Sequence, residues 1–263
     1  GMPLVFLHGM FLGASSYEWS KVYTRFAMDR EVIAPDLIGY GESERPSTPL
    51  DPEEHVQSLA EFLRSVCPHR PAILVASGLT SQVALLLAAK HPELIARLIL
   101  FLPTRLQDSS QAQTMGLVSG SMIPGVADSS NTANLAPAIH PRLAFTHRIL
   151  EAENLAEETV EVLASSSQQY GAEHAILGLL KNRKKYDASP RLSDILAPAH
   201  ILWPARAPAF PLSEATTLVR QLPKTSLEVL NDCSAFAPME TPGILVRSLT
   251  HWLDGDLAEN LPA

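Results

Sequence analysis

Short apolar runs alternate along this chain with longer amphipathic runs. The short runs are composed of residues that favour strands, and the longer runs repeat apolar residues every three to four positions, as helices do. The predicted strands cover residues 3–7, 31–35, 72–75, 97–102, 200–203 and 226–230. The predicted helices cover residues 17–28, 51–66, 79–90, 211–221 and 242–253.

This alternation predicts an α/β fold, a mostly parallel, doubly wound sheet of about six strands with helices on both faces. Residues 105–191 break the pattern, because no strand is evident there. The first part of that region is rich in Ser, Gln, Gly and Asn, and three further helices are predicted after it. They cover residues 141–152, 156–166 and 171–181. We therefore predict a core formed by residues 1–104 and 192–263, with residues 105–191 inserted as a helical cap.

The composition narrows the classes of partner. The 263 residues carry a formal net charge of −8, which disfavours nucleic acid and an anionic membrane surface as partners. The two cysteines, Cys67 and Cys233, cannot build a disulfide framework or a cysteine metal site. No metal-binding or nucleotide-binding motif is present, so we expect no metal and no cofactor. No apolar run is long enough to span a bilayer, and we expect a cytoplasmic protein.

Three segments resemble the α/β-hydrolase superfamily, and they fall in that family's order. Residues 5–10 read VFLHGM, residues 36–43 read DLIGYGES, and residues 73–84 read ILVASGLTSQVA, followed by HPE at residues 91–93. The resemblance implies that the backbone N–H of Met10 belongs to an oxyanion hole. It also implies that the DLIGYGES segment is a structural turn without chemistry. Family members usually have an antiparallel strand pair before the His-Gly strand, and here only residues 1 and 2 precede it.

The third segment matches the family's nucleophile elbow, a sharp turn from a strand to a helix. The strand before it and the HPE after it place Gly78 at the position of the nucleophile. The elbow requires small residues two positions away on either side, and Gly78 has Ala76 and Thr80 there. Two neighbouring serines fail this requirement, because Val75 and Leu79 flank Ser77 while Leu79 and Val83 flank Ser81. We interpret both serines as hydroxyls that cap the start of the helix.

The other two triad positions also lack a reactive side chain under the resemblance. The strand after the cap continues as WPARAP, which puts Ala207 where the family has an acid. In the last segment Glu240 and Pro242 set the register, which puts Ala235 where the family has its His. The triad-equivalent positions are therefore Gly78, Ala207 and Ala235, and no intact catalytic residue is predicted.

Three functions remain open at this stage, and the chain's status as an enzyme is undecided. The first is a non-catalytic hydrolase-like protein that binds a small apolar ligand between core and cap, through Met10, Ser77, Gly78 and Leu79. The second is a hydrolase of an ester or related bond with relocated catalytic residues. Its candidates are Ser77, Cys233 and a cap histidine, among His140, His147 and His174. The third is a protein–protein interaction module with the cap or an open sheet edge as its contact surface, and the open edge could also form a homodimer.

Overall fold

The protein is built on one six-stranded parallel sheet with strand order β2-β1-β3-β4-β5-β6. The computed structural model describes residues 1–11, 13–105, 156–207 and 210–259. The strands are β1 (Leu4–Leu7), β2 (Val32–Ile33), β3 (Ala72–Ser77), β4 (Ile95–Phe101), β5 (Ala199–Arg206) and β6 (Thr225–Ser234). All five neighbouring pairs run parallel, which confirms the predicted α/β sheet.

The strand order reverses direction next to β1, and this reversal positions the site. After β1 the chain adds β2 on one side, and it then crosses to β3 on the other side. The loops that leave β1 and β3 therefore diverge at the carboxyl ends of these strands. In open α/β sheets, ligands bind in the crevice at such a switch point. Every residue of β1 and β3 is buried, as expected for strands covered by helices on both faces.

Eight α-helices surround the sheet in the described part of the chain, together with four short 3₁₀ segments. They are α1 (Ser20–Tyr23), α2 (Pro52–Val66), α3 (Thr80–Lys90), α4 (Glu157–Ser167), α5 (Ala172–Asn182), α6 (Leu212–Gln221), α7 (Ala237–Glu240) and α8 (Pro242–Glu259). The 3₁₀ segments are Ser16–Trp19, Pro92–Leu94, Arg183–Lys185 and Ser189–Asp194. None of the described helices is long and apolar enough to cross a membrane.

The prediction of one continuous helix over residues 17–28 is wrong. The segment forms the 3₁₀ turn Ser16–Trp19, the single turn α1, and further turns up to residue 30. Two side chains hold it against the loop after β1: the Trp19 indole N–H donates to the Leu7 carbonyl at 3.0 Å, and Glu18 accepts from the Gly9 N–H at 2.6 Å. These contacts favour the tighter turn over a regular amphipathic helix.

Three strands extend past their predicted ends. The predictions stopped β3, β5 and β6 at residues 75, 203 and 230, whereas the strands end at residues 77, 206 and 234. Pairing between β5 and β6 continues from Trp203↔Val229 to Arg206↔Ser234, although polar residues occur there. Backbone hydrogen bonds form a ladder whatever the polarity of the side chains, so the apolar run understates the length of the strand.

The two described cap helices, α4 and α5, pack directly on the core. Leu163 of α4 and Ile176 of α5 are buried in the same apolar cluster as the sheet. A β-carbon on Gly13 would clash with the Leu163 carbonyl oxygen, so the loop after β1 touches α4 closely. The predicted helices over residues 156–166 and 171–181 are confirmed within one residue. The predicted helix over residues 141–152 lies outside the described residues, and the exact limits of the insertion stay a prediction.

Candidate functional site

The turn between β3 and α3 has the backbone of a nucleophile elbow with glycine at its apex. Gly78 has φ +55°, a left-handed conformation that glycine adopts without strain. Its N–H donates to the Phe101 carbonyl of β4 at 2.9 Å, which holds the turn at the edge of the sheet. Among the described residues other than its neighbours Ser77 and Leu79, a β-carbon built on Gly78 would meet nothing nearer than the Thr104 hydroxyl oxygen at 4.0 Å. The turn therefore leaves open space where a side chain would project.

A small cavity of about 50 Å³ lies at this turn. All four residues predicted to bind a ligand border it: Met10, Ser77, Gly78 and Leu79. The other lining residues are Gly9, Phe11, Glu18, Leu102, Thr104, Phe210, Ala235 and Phe236. Most of this lining is apolar, and the polar groups come from Glu18, Ser77, Thr104 and the backbone.

Glu18 places a buried carboxyl group in the cavity wall. Only 3% of the residue is exposed, and its Oε2 accepts from the Gly9 N–H at 2.6 Å. Burial raises the pKa of Glu18 to about 7, although hydrogen bonds from the Ser77 hydroxyl and the Gly9 N–H act in the opposite direction. Sequence reasoning missed this residue, because Glu18 occupies a polar position in the helix that was predicted over residues 17–28.

His8 braces the loop after β1 and is not placed to act as a base. Its Nε2 accepts from the Leu37 N–H at 2.9 Å, so its Nδ1 carries the proton and donates to the Gly9 carbonyl at 2.7 Å. Burial is the main reason that its pKa is lowered, and the ring is neutral. The Thr80 hydroxyl donates to the His8 carbonyl at 2.6 Å, which ties the start of α3 to this loop.

These bonds fix the loop and the turn that carry Met10 and Leu79, and both residues line the cavity. Met10 follows the braced His8-Gly9 pair, and Leu79 precedes the first residue of α3. Among the described residues, neither the Met10 N–H nor the Leu79 N–H donates to a protein acceptor. Both donors are thus free to bind a ligand oxygen, as the resemblance implied for Met10.

Thr104 contributes a second polar side chain that the sequence did not single out. It is 2% exposed, and its hydroxyl oxygen has no hydrogen-bond partner in the described part of the chain. Gln82 of α3 fixes its backbone, donating from Nε2 to the Thr104 carbonyl at 3.0 Å while Oε1 accepts from the Ala188 N–H at 3.0 Å. Leu102, two residues earlier, has φ 47°, an uncommon conformation for a branched side chain that shapes this exit from β4.

The remaining two triad-equivalent positions lie at the carboxyl ends of β5 and β6. Ala235 directly follows β6 and borders the cavity. Ala207 directly follows β5, is 3% exposed, and its carbonyl accepts from the Phe210 N–H at 2.9 Å. Ala207 is not among the residues that line the cavity. The structure thus brings Gly78 and Ala235 to one cavity, and Ala207 is not part of its lining.

The interpretation of Ser77 and Ser81 as helix caps is wrong. The Ser81 hydroxyl donates to the Ala76 carbonyl at 3.2 Å, and the Ser77 hydroxyl bonds Glu18. The residue before α3, Leu79, has no side chain that can cap the helix. The sharp turn at Gly78 directs both serines away from the free N–H groups of the helix, so they bond a carbonyl and a carboxylate instead.

Of the other candidates for a relocated active site, the two that the structure describes, Cys233 and His174, do not border the cavity. Cys233 lies within β6 and not in a loop. Its Sγ is 3.7 Å from the Thr241 hydroxyl, and burial raises the pKa of the thiol, so it is a poor nucleophile. The His174 Nδ1 is 3.1 Å from the Pro46 carbonyl, at the contact between α5 and the core. His140 and His147 lie outside the described residues.

A hydrogen-bonded Ser–His–Glu chain does occur, but far from the cavity. The His200 Nδ1 is 2.6 Å from the Ser226 hydroxyl, and its Nε2 is 3.3 Å from Glu228. These residues lie near the amino-terminal ends of β5 and β6, whereas the cavity is at the carboxyl ends. The His200 ring stacks on Trp252 of α8, and Ser248 of α8 donates to Glu228 at 2.6 Å. These hydrogen-bonded side chains therefore fasten α8 to the edge of the sheet.

Comparison with known proteins decides the family. The model of the "Alpha/beta hydrolase family" matches residues 4–248, nearly the whole chain. The chain belongs to the alpha/beta hydrolase family. This alpha/beta hydrolase has the fold of a meta-cleavage product hydrolase from Pseudomonas fluorescens IP01, with a TM-score of 0.76 at 17% identity, over 97% of this chain and 92% of that one. It is likewise similar to a thermophilic esterase from Thermogutta terrifontis, with a TM-score of 0.74 at 21% identity, over 97% and 90% of the two chains.

Curated relatives match over a shorter stretch. A 2-hydroxymuconate semialdehyde hydrolase from Pseudomonas sp. (strain CF600) is 35% identical over 101 residues, 38% of this chain and 36% of that protein. A haloalkane dehalogenase from Mesorhizobium japonicum is 37% identical over 93 residues, 35% of this chain and 29% of that protein. These matches span about a third of the length of the relatives, so their activities do not transfer to this chain.

Proposed function

We propose that this alpha/beta hydrolase family member does not hydrolyse by the family's triad and instead binds a small ligand in the cavity at Gly78. The observation that carries the proposal is the glycine at the apex of the elbow. The turn keeps the left-handed backbone that the family's nucleophile needs, and it offers open space and no nucleophilic atom. Loss of the nucleophile alone removes several orders of magnitude in rate.

The other two triad-equivalent positions also argue against hydrolysis by the family's triad. Alanine at residues 207 and 235 supplies neither a carboxylate nor an imidazole. His8, whose carbonyl accepts from Thr80 at the start of α3, has both ring nitrogens bonded to backbone groups and a lowered pKa. A bound ester would then find hydrogen-bond donors for its carbonyl and no general base of the family's kind.

The cavity itself supports a binding role. Met10, Phe11, Leu79, Phe210 and Phe236 give it an apolar wall. Free backbone donors and the unpartnered Thr104 hydroxyl give it a few polar points that would orient a ligand. An apolar pocket with a small number of placed polar groups is the usual composition of a small-molecule site.

The test is a panel of initial rates on short- and medium-chain activated esters and thioesters. Wild type, Ser77→Ala and Cys233→Ala are expected to show no turnover above background. A triple variant, Gly78→Ser with Ala207→Asp and Ala235→His, is expected to gain turnover of at least about tenfold over background, because it restores all three triad roles. Wild-type turnover that survives dialysis and disappears in Ser77→Ala would refute the non-catalytic proposal.

One observation favours a second candidate, a hydrolase with relocated residues. The Ser77 hydroxyl bonds the buried Glu18 carboxyl inside the cavity, and a hydroxyl beside a base is the minimum for a nucleophile. The large residues two positions to either side of Ser77, which are Val75 and Leu79, weigh against this second candidate. The same rate panel decides between the two, since this candidate requires turnover that is lost in both Ser77→Ala and Glu18→Gln.

A further inference from the structure

The cavity is unusually rich in hydrogen-bond donors for its size. The Met10 and Leu79 N–H groups have no acceptor among the described residues, and the Thr104 hydroxyl has no partner there either. Leu79 immediately precedes α3, an eleven-residue helix, so the positive end of the helix dipole also faces this side. Unpartnered buried polar groups are uncommon in folded proteins, and a bound ligand is one way to satisfy them.

Thr104 is the observation that points to a ligand independently of the helix. It is 2% exposed, it lines the cavity, and its hydroxyl oxygen lies 4.0 Å from the position that a β-carbon on Gly78 would take. Gln82 holds its backbone in place by donating to the Thr104 carbonyl at 3.0 Å. The hydroxyl is thus fixed beside empty space that its neighbours do not fill.

We propose that this cavity binds the carboxylate group of a short-chain carboxylic acid. The Met10 and Leu79 N–H groups and the Thr104 hydroxyl donate to the carboxylate oxygens. Glu18 takes up a proton when the acid binds, so that no second negative charge faces the ligand. This inference rests on the proposed binding function and adds the chemical class of the ligand and its coupling to pH.

The size of the cavity suits this ligand class. Its volume of about 50 Å³ corresponds to the space of about four water molecules, counting roughly 10–15 Å³ for each. A carboxylate with a short alkyl chain fits this space, with the chain against Phe11, Phe210 and Phe236. The apolar lining then covers the alkyl chain while the donors hold the charged end.

Glu18 determines the pH dependence. The elements packed around its 3₁₀ turn bring in His8 from the loop after β1, Ser77 from β3, Glu240 from α7 and Asp36, which accepts from the Ser16 N–H at 2.6 Å. His8 is neutral, Ser77 bonds Glu18, and Glu240 accepts from the Ser234 hydroxyl. Burial dominates the pKa of Glu18, and the two hydrogen bonds oppose it. Because an ionised Glu18 would repel a carboxylate, binding and protonation of Glu18 favour each other.

The experiment titrates the protein with butyrate, 1-butanol, butylamine and methyl butyrate at pH 6, 7 and 8, following the backbone amides by NMR. Butyrate is expected to bind about tenfold more tightly at pH 6 than at pH 8, following the protonated fraction of a group with a pKa of about 7. The Met10 and Leu79 amide signals are expected to move most. 1-Butanol is expected to bind more weakly than butyrate at pH 6.

Two conservative variants separate the roles of the side chains. Glu18→Gln is expected to bind butyrate with the same affinity at pH 6 and pH 8, because a neutral amide replaces the titrating carboxyl. Thr104→Val is expected to weaken butyrate binding about fivefold at every pH, the usual effect of one lost hydrogen bond. Glu61→Gln and Thr250→Val, the same changes at exposed helix positions, serve as controls and are expected to leave binding unchanged.

The outcomes distinguish this inference from the proposed function. Tighter binding of butylamine than of butyrate, strengthening as the pH rises, would overturn the carboxylate site in favour of a cation site. Binding of methyl butyrate alone, without dependence on pH or on Glu18→Gln, would also overturn it while leaving a small-ligand pocket in place. Binding of none of the four compounds would overturn the carboxylate inference, and ester turnover would overturn the non-catalytic function.

Discussion

At the scale of single residues, Glu18 is the most unusual group in the described part of the chain. A carboxyl with 3% exposure and no ion partner is costly to keep charged, and two hydrogen bonds do not offset the cost. Its pKa is raised to about 7, so the native state binds this proton more tightly than the unfolded state does. The stability that Glu18 contributes is therefore present below its unfolded pKa and is lost as the pH rises through about 7.

Replacing Glu18 with Gln should therefore stabilise the protein only at high pH. We expect Glu18→Gln to raise the free energy of unfolding by about 2–3 kcal/mol at pH 8.5 and to leave it nearly unchanged at pH 4.5. Urea denaturation at the two pH values measures the difference. Glu61→Gln, an exposed position of α2, is the control. An equal effect of Glu18→Gln at both pH values would contradict the raised pKa.

At the scale of elements, side chains close in sequence cap the start of α2. Asp51 accepts from the Glu53 and Glu54 N–H groups at 3.0 and 3.2 Å, and the Glu54 carboxylate accepts from the Asp51 N–H at 2.7 Å. Pro52 occupies the first turn, where its missing N–H costs nothing. These reciprocal bonds set the first residue of the helix.

Removing the cap of α2 should cost a typical capping energy. Asp51→Ala is expected to lower the free energy of unfolding by about 1 kcal/mol, because the Glu53 and Glu54 N–H groups lose their acceptor. Thermal and urea unfolding measure the change. Glu61→Ala on the same helix changes a carboxylate that caps nothing, and a comparable loss there would show that the cap is not the cause.

Gln82 connects three elements through one buried amide. It extends from α3 to the Thr104 carbonyl after β4 and to the Ala188 N–H before the 3₁₀ segment Ser189–Asp194. Gln82→Leu would leave a buried carbonyl and a buried N–H without partners, so we expect a loss of about 2–4 kcal/mol in the free energy of unfolding. Gln57→Leu, an exposed glutamine of α2, is the control. A loss of less than about 0.5 kcal/mol for Gln82→Leu would contradict the connecting role.

At the scale of the whole molecule, three buried histidines make the fold sensitive to acid. Burial is the main cause that lowers the pKa of His8, His55 and His200, and the pKa of His55 falls to about 4. The unfolded chain therefore takes up protons below about pH 6.5 that the native state rejects. Their contribution to stability is present above that pH and is lost as the pH falls.

We expect the free energy of unfolding to fall between pH 6.5 and pH 4, with up to about 3 kcal/mol of the loss due to His55. Glu18 works in the opposite direction over this range, so Glu18→Gln should steepen the fall. Urea titrations at pH 7, 5.5 and 4.5 test both statements, with His55→Gln expected to flatten the profile. A profile for His55→Gln as steep as that of wild type would contradict the assignment.

The sequence by itself determined the fold class, the order of most elements and the residues around the elbow. Apolar periodicity is a local property, and the glycine turns and the His-Gly strand carry their geometry within a few residues, so pattern reading located β1, β3, α3 and Gly78. It failed for residues 17–28, where bonds from Trp19 and Glu18 to the loop after β1 override the helical period. It also assigned cap roles to Ser77 and Ser81, whose partners follow from the sharp turn.

Only the tertiary structure brought Glu18, Ser77 and Thr104 to one cavity. These residues come from a 3₁₀ turn, a strand end and the exit of a different strand, and nothing local in the chain relates them. The raised pKa of Glu18 and the unpartnered Thr104 hydroxyl are consequences of burial, which depends on every element that excludes water from the site. Local patterns encode elements, whereas desolvation and long-range contact are decided by the packed molecule.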